Sequence, residues 1–360
     1  MKILITGSTG RIGANLTAQL LAGGHEIRSF VYPGDASRAH KLDRFDGVET
    51  VFGDLRNPDD VRQAVKGVDA IYHLAAAFGG PFDNRQYLEI NGIGTLNLLE
   101  HVRAECPNLH RFVYACTEAI YWRLEDRIPH LQGRESRYFE DPITEDMVAR
   151  HHQMPYFLTK WIGEELAMSY HHQYGIPATS FRFSTVIEPG EFLNEAGLPK
   201  LFLYSPIHEL YGSQSNPNPE VQAMLDEIRT QWDGEEKFLL SRNPNGRPFR
   251  QQFCDVRDIV QGLVLGIERD EAAGEVFNLG GAALFDWGEI VPYLADRFQI
   301  EMVEARIPAT NFFELDLTKI KSLLGYQPRH DFASILETAQ AIRKGQETDV
   351  IPTGIRYGDA

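Results

Sequence analysis

Three cysteines in 360 residues leave no room for a disulfide framework. Cys106, Cys116 and Cys254 form no CxxC and no metal-ligand spacing, which points to a reducing compartment. The histidine pairs at 151–152 and 171–172 come without an HExxH pattern or a matching acid cluster, so no metal is expected. Long apolar runs are also missing. None approaches the roughly 18–20 residues that cross a bilayer, so no membrane association is expected. The opening stretch MKILITGSTG has a single lysine and a short apolar core broken by Gly7, too short for a secretory signal. The expected location is the cytoplasm. Basic residues are scarce: 35 Lys and Arg face 51 Asp and Glu, for a formal charge of −16. Nucleic acid as a partner would need a basic surface, and the acidic excess serves solubility instead. Internal repeats and low-complexity segments are absent.

What is present is a rhythm. Strand-like runs appear at KILIT, EIRSFV, VETVFG, DAIYHLA and RFVYA within the first 120 residues, with helical patterns between them. In RIGANLTAQLLAGG, Ile12, Leu16, Leu20 and Leu21 share a face before Gly23 and Gly24 end it. In NPDDVRQAV, Asn57 is placed as N-cap and Pro58 at the first helical position. Strand–helix alternation with apolar strands buried on both faces implies an α/β fold with a doubly wound parallel sheet. Its ligand belongs outside the carboxyl ends of the strands. Beyond residue 122 a polar stretch precedes a helix from Tyr156 to about Tyr174 and a strand at ATSFRFSTV. Residues 188–250 show no steady period and are expected to form a substrate-covering lobe or long lid rather than sheet. A helix at VRDIVQGLVLGIE and a strand at EVFNLGG follow.

TGSTGRIG, residues 6–13, spaces Gly7, Gly10 and Gly13 as GxxGxxG. With so many glycines, chance supplies that spacing about 0.2 times per chain, so spacing alone is weak. Position is what counts: the motif follows the first strand and opens an amphipathic helix. There glycines let the backbone approach a pyrophosphate at a helix N-terminus. Asp54 in GDL ends the third strand, placed to accept from an adenine amino group. At the end of the second strand, where an acid would bind ribose hydroxyls, Val31 and Tyr32 stand instead and Asp35 comes late. Arg38 and Lys41 are positioned either for a 2′-phosphate or as a solvated helix face. The balance favours NAD over NADP.

YFLTK puts Tyr156 and Lys160 at i and i+4 on one helix face. Chance gives a Tyr–Lys pair at that spacing about 0.35 times per chain, so here too context decides. A phenol titrates near 10, so base work near neutrality requires lowering it by about 3 units, or roughly 4 kcal/mol. A neighbouring ammonium and an oxidised nicotinamide would supply that. Thr117 ends the strand RFVYACT beside Glu118, and its hydroxyl can bridge the substrate oxygen that Tyr156 protonates or deprotonates. Glu118 is either a further acid/base or a structural carboxylate.

TGSTGRIG, GDL, YHLAA at 72–76, NGIGTLNLLE at 91–100, the strand ending at Thr117 and YFLTK come in the order and spacing of the extended short-chain dehydrogenases/reductases. More narrowly, the chain resembles the NAD-dependent epimerase/dehydratase group, with FCDVRDIVQGLV, GEVFNLGG and DLTKIKSLLGYQP as its later elements. The resemblance implies a Rossmann-type NAD(P)-binding domain over 1–187 with parts of 250–280. It implies a smaller C-terminal substrate-binding lobe and lid over most of 188–345, then an extended tail at 346–360. It implies Tyr156 as base and acid, Lys160 as its tuner and ribose ligand, and Thr117 as a substrate hydrogen-bonding group. Cofactor contacts fall at Gly7, Thr9, Gly10, Arg11, Ile12, Gly13, Tyr32, Asp54, Leu55, Leu74, Ala75, Ala76 and Asn91, besides Tyr156 and Lys160. Phe78, Trp122, Thr185 and Arg250 are candidate substrate contacts. A homodimer through a four-helix contact is common in the group.

The departures bear on substrate. Relatives that eliminate water carry a Thr-Asp-Glu run, whereas this chain has Thr117-Glu118-Ala119, with one acid. Thr185 stands where an Asn is usual, and Gln251, beside Arg250, where an Arg is usual, so a nucleotide handle is less assured. The expected substrate is a sugar, sugar acid or nucleotide sugar, acted on by an epimerase or dehydrogenase. The alternatives are an NADPH-dependent carbonyl reductase and a non-catalytic dinucleotide sensor.

Overall fold

The computed structural model describes residues 1–122, 142–149, 152, 154–212, 219–308 and 312–352. In chain order the strands are β1 Lys2–Thr6, β2 Glu26–Val31, β3 Val48–Phe52, β4 Ala70–His73, β5 Arg111–Thr117 and β6 Ala178–Phe183. Then come β7 Thr185–Ile187, β8 Phe238–Arg242, β9 Arg250–Asp255, β10 Val276–Leu279, β11 Leu284–Asp286, β12 Met302–Arg306 and β13 Phe312–Phe313. Seven of them form one parallel sheet in the order β10-β6-β5-β4-β1-β2-β3. From β1 the chain first winds outward through β2 and β3, then crosses back to β4, so the order reverses between β1 and β4. That is where a doubly wound sheet opens a crevice at its carboxyl edge.

The apolar runs explain the interior strands. Ile3, Leu4 and Ile5 of β1 are fully buried, as are Phe112, Val113 and Tyr114 of β5. β3 departs from the expectation of burial on both faces. It is the sheet edge, Glu49 and Phe52 are exposed, and Glu49 pairs with Lys2 and Arg28. A charged edge discourages pairing with another chain.

The helices are α1 Arg11–Ala22, α2 Pro58–Val65, α3 Gly94–Glu105, α4 Pro155–Tyr174, α5 Tyr204–Gly212, α6 Pro219–Thr230 and α7 Val256–Glu268, with later ones at Trp287–Phe298, Thr318–Leu324 and Phe332–Arg343. Asn57 caps α2 by accepting from the Asp59 N–H, and Asp255 caps α7 in the same way through Arg257. α4 ends at Gly175, whose φ of 73° is the left-handed conformation that glycine adopts without strain.

Among the described residues two large hydrophobic cores result, beside a small cluster of Val221, Met224 and Leu225. The first lies around the parallel sheet and includes Phe313, Leu315, Leu317, Ile320 and Tyr326, so the segment 312–326 packs with the sheet. The second gathers Phe202, Phe238, Phe285, Trp287 and Leu336 in the lobe. Residues 188–250 were expected to form a substrate-covering lobe or long lid rather than sheet. They hold the helices α5 and α6, and the one departure among the described residues is β8, which pairs in parallel with β12. In α6, Val221, Met224, Leu225 and Ile228 bury one helical face.

A buried polar web joins α4 to the sheet. Arg182 of β6 pairs with Glu164 of α4 at 2.6 Å, and both side chains are almost fully enclosed. Ser180 donates to the same carboxylate, and Arg182 also donates to the Tyr121 hydroxyl, which in turn donates to Asn278 of β10. Removing one partner of such a pair strands the other charge, at a cost of about 3–5 kcal/mol. Glu164→Gln is therefore expected to lower the unfolding free energy by about that amount, measured by urea denaturation; a loss below about 1 kcal/mol would contradict the pairing.

Candidate active site

The turn after β1 is built to admit something flat against its backbone. Gly7 has φ 74°, and a Cβ there would stand 2.8 Å from the Ala75 nitrogen in the turn after β4. At Gly13 a Cβ would lie 2.2 Å from the Gly7 oxygen. No side chain caps the α1 N-terminus at Gly10, and its first turn carries no acid, in a chain rich in acids. These open N–H groups and the partial positive charge of the helix end fit an anionic group. The residues present therefore fit a dinucleotide.

The turn after β4 is held in place by a relay. The Ala75 N–H donates to Thr6 Oγ1, which meets His73 Nδ1 at 2.8 Å. His73 Nε2 meets Thr95 Oγ1, which donates to the Asn91 carbonyl. Burial drives the His73 imidazole down to about 3, so it stays neutral and acts as a fixed strut. The Asn91 side chain sits in a π-helical turn, Leu88–Ile93. It accepts from the Ala77 N–H and donates to the Ala77 carbonyl and to Thr159 on α4. Asn91 thus ties Ala77 to the helix carrying Tyr156 and Lys160. Leu74 and Ala75 line the same turn, and Leu74 packs against the first core.

α4 lies so close on β5 that a Cβ at Gly163 would stand 2.1 Å from the Tyr114 hydroxyl. That hydroxyl donates to the Lys160 carbonyl at 3.1 Å, and the Lys160 Nζ lies 4.4 Å from the centre of the Tyr114 ring. Burial pushes the Lys160 ammonium down to about 8, against the upward pull of Cys116 and Glu164. One turn earlier on α4, the Tyr156 ring packs at 4.9 Å on Phe78, which is half exposed beyond the β4 turn.

At the end of β5, Thr117 Oγ1 accepts from the Ala119 N–H and donates to Glu118 Oε2 at 3.2 Å. Thr185 of β7 donates to Glu118 Oε1 at 3.0 Å and accepts from Gln251 Nε2 at 3.1 Å. Glu118 is only 7% exposed, and burial raises its carboxyl to about 7, against the pull of the Thr185 hydroxyl, its own backbone and the Thr117 hydroxyl. The structure thus brings Thr117, Glu118 and Thr185 together. It also supplies Gln251, legible in sequence only as a position where an arginine is missing.

The other expected contacts have neighbours of their own. Trp122 packs on the first core, its ring 6.0 Å from that of Phe313, and Arg250 pairs with Asp286 at 3.1 Å. Asp54 faces the Arg56 guanidinium, which holds its carboxyl below the ordinary range. Tyr32 is half exposed beyond β2, and Leu55 is buried next to Gly94. Arg11 donates to the Val186 carbonyl and pairs with Glu191 at 3.1 Å, and Ile12 packs on the core. Arg38 pairs with Asp35 at 3.4 Å. Lys41 reaches the Thr9 carbonyl, and burial, then Arg38, lower its ammonium despite Glu191, Glu188 and Asp35. Among the described residues no cluster of His, Cys, Asp or Glu is able to hold a metal, and no helix is long and apolar enough to cross a membrane.

The sequence model of the NAD dependent epimerase/dehydratase family matches residues 3–280. The chain belongs to that family. It is similar to the CDP-paratose 2-epimerase of Salmonella typhi, at 31% identity over 91% of this chain and 95% of that one. It is 34% identical to a 2-alkyl-3-oxoalkanoate reductase of Stenotrophomonas maltophilia (strain K279a) over 47% of this chain, and spans about half of that relative, 46%. Among solved structures it resembles a short-chain dehydrogenase/reductase superfamily protein from Agrobacterium tumefaciens with bound NAD. There the TM-score is 0.77 and the identity 29%, covering 96% of this chain and 98% of that one. Gly13→Ala, which crowds the Gly7 carbonyl, is expected to weaken NAD binding by roughly 5–100-fold in calorimetric titration while the far-ultraviolet circular dichroism stays native. Unchanged affinity would contradict the cradle.

Proposed function

We propose that the chain is an NAD-dependent enzyme that oxidises a hydroxyl of a sugar, sugar acid or nucleotide sugar, working as an epimerase or a dehydrogenase. The observation that carries this reading is the seat of Tyr156 and buried Lys160 on α4 against β5, whose end presents Thr117 and Glu118. Family membership and the likeness to a sugar epimerase over most of both chains support it. Gly7, Gly10 and Gly13, with Asp54, Leu55 and the Leu74–Ala76 turn beside them, would hold NAD, which would supply the hydride acceptor.

The chain's own groups then manage protons and orientation. Tyr156 takes the proton of the substrate hydroxyl at its phenol oxygen and returns it in the reverse direction. Lys160, nearby and cationic below about pH 8, favours the phenolate. The Thr117 hydroxyl binds the same substrate oxygen, and Phe78, packed on Tyr156, covers the sugar ring. Since Thr117-Glu118-Ala119 offers one acid, elimination of water is not part of the proposal. Asp35 already pairs with Arg38, which favours NAD over a cofactor carrying a 2′-phosphate.

A homodimer is part of this reading. Leu88 and Ile93 ahead of α3, and Leu158 on α4, are each more than 40% exposed on neighbouring elements. This apolar face suits a second copy of the chain. Sedimentation is expected to give a dimer that Leu158→Glu converts to monomer; a monomeric parent chain refutes the arrangement.

Turnover is testable with NAD and a panel of sugars, sugar acids and nucleotide sugars, following NADH absorbance and product by NMR. A dehydrogenase accumulates NADH, and an epimerase inverts a carbon without net NADH. Tyr156→Phe is expected to lower kcat by about 10²–10⁴ with the best substrate. Retained turnover would remove Tyr156 from the mechanism.

A further inference from the structure

Glu118 is a buried carboxylate that no cation balances among the described residues. Burial and its hydrogen bonds to Thr185, its own backbone and Thr117 account for its behaviour. The charged groups on the surrounding elements are committed elsewhere. Lys160 of α4 responds to Cys116 and Glu164, Arg182 of β6 pairs with Glu164, and Arg250 of β9 pairs with Asp286. β7 and β9 face Glu118 with neutral Thr185 and Gln251. Such a group is expensive to keep charged and is rarely kept for stability.

Hydrogen-bond counting shows what it does to its neighbours. A threonine hydroxyl has one proton and two lone pairs. Thr117 Oγ1 accepts from the Ala119 N–H, and Thr185 Oγ1 accepts from Gln251 Nε2. Both hydroxyls therefore direct their only proton to Glu118. In that state Thr117 has one lone pair left and offers the substrate an acceptor only. The alcohol gives its one proton to Tyr156 and the ketone has none, so in either direction the reacting oxygen presents lone pairs to Thr117, and an acceptor does not suit it. If Glu118 gains a proton and donates it to Thr117, both lone pairs of Thr117 are filled. Its own proton is then released to point at the substrate.

We propose that Glu118 is a positioning residue acting through Thr117, whose protonated form turns the Thr117 hydroxyl toward the reacting oxygen in both directions and whose ionised form turns it away. The proton balance is simple: one proton enters Glu118 and the Thr117 hydroxyl reverses direction, with no bond to substrate made or broken. This inference rests on the proposed role of Thr117 at the reacting oxygen. It places the loss of turnover in both directions above neutrality, where the raised Glu118 carboxyl ionises.

The test uses the NAD-loaded chain and the best substrate of the panel, with its ketone for the reverse direction. In the parent chain kcat/KM for ketone reduction and for alcohol oxidation should each fall about tenfold per pH unit above the Glu118 midpoint. Glu118→Gln, which cannot titrate, should flatten both limbs. The side-chain carboxyl ¹³C resonance that disappears in Glu118→Gln should titrate near pH 7 in the NAD-loaded parent. Limbs that persist in Glu118→Gln, or a resonance that does not move between about pH 6 and about pH 8, overturn the switch. Thr117→Val and Tyr156→Phe separate the two levels. If both keep full turnover, the Tyr156–Thr117 reading has failed. If both lose it while Glu118→Gln keeps the parent pH profile, only the switch has failed.

Discussion

The closeness of α4 to β5 governs this molecule. A helix seated on a sheet through a glycine comes nearer than side chains elsewhere allow, and here Gly163 leaves room only for the Tyr114 hydroxyl. That proximity draws the Lys160 backbone into a hydrogen bond with the sheet and buries its ammonium against an aromatic ring. A lysine so enclosed loses hydration and its proton is held less tightly, which is how a surface-type residue becomes a tuned one. The same seating carries Tyr156 to the carboxyl edge of the sheet. Asn91 and the His73 relay carry the turn after β4 to the same place. The glycine turn after β1 is pressed against that turn, so the dinucleotide cradle and the α4 residues share one framework.

Two buried glutamates show how burial divides structure from chemistry. Glu164 sits against a guanidinium and a serine hydroxyl, and its charge is fully answered. It fastens the helix. Glu118 is as well enclosed but, among the described residues, is met only by hydroxyls and its own backbone, and burial raises its carboxyl to about 7 against their pull. An unanswered buried charge that can be discharged by one proton is a group poised to change state near neutrality. In both cases the partners, rather than the depth of burial, decide the role.

Much of the frame was legible in the sequence because its causes are local. The apolar runs of β1 and β5, the Asn57 cap and the glycine spacing act over a few residues, and each predicts its own element. Family membership, which sets the topology, was likewise carried by short motifs in order. The helical face of α6 was present as Val221, Met224, Leu225 and Ile228, but surrounding prolines and glycines masked it. Long-range pairings were not legible. Nothing near Thr185 announces that Gln251 and Glu118 lie on either side of it, nor does Arg11 advertise Glu191. Candidate contacts such as Trp122 and Arg250 were named from position along the chain, while their orientation depends on Phe313 and Asp286, far away in sequence.

The central claim is that α4 and the end of β5 flank one reaction site at the mouth of the glycine cradle. A crystal structure of the chain with NAD bound tests it most directly. The account predicts the diphosphate on the Gly7–Gly13 backbone and the nicotinamide ring between Tyr156 and the end of β5, within contact of both. A dinucleotide that lies elsewhere, or a nicotinamide directed away from Tyr156 and Thr117, would contradict it.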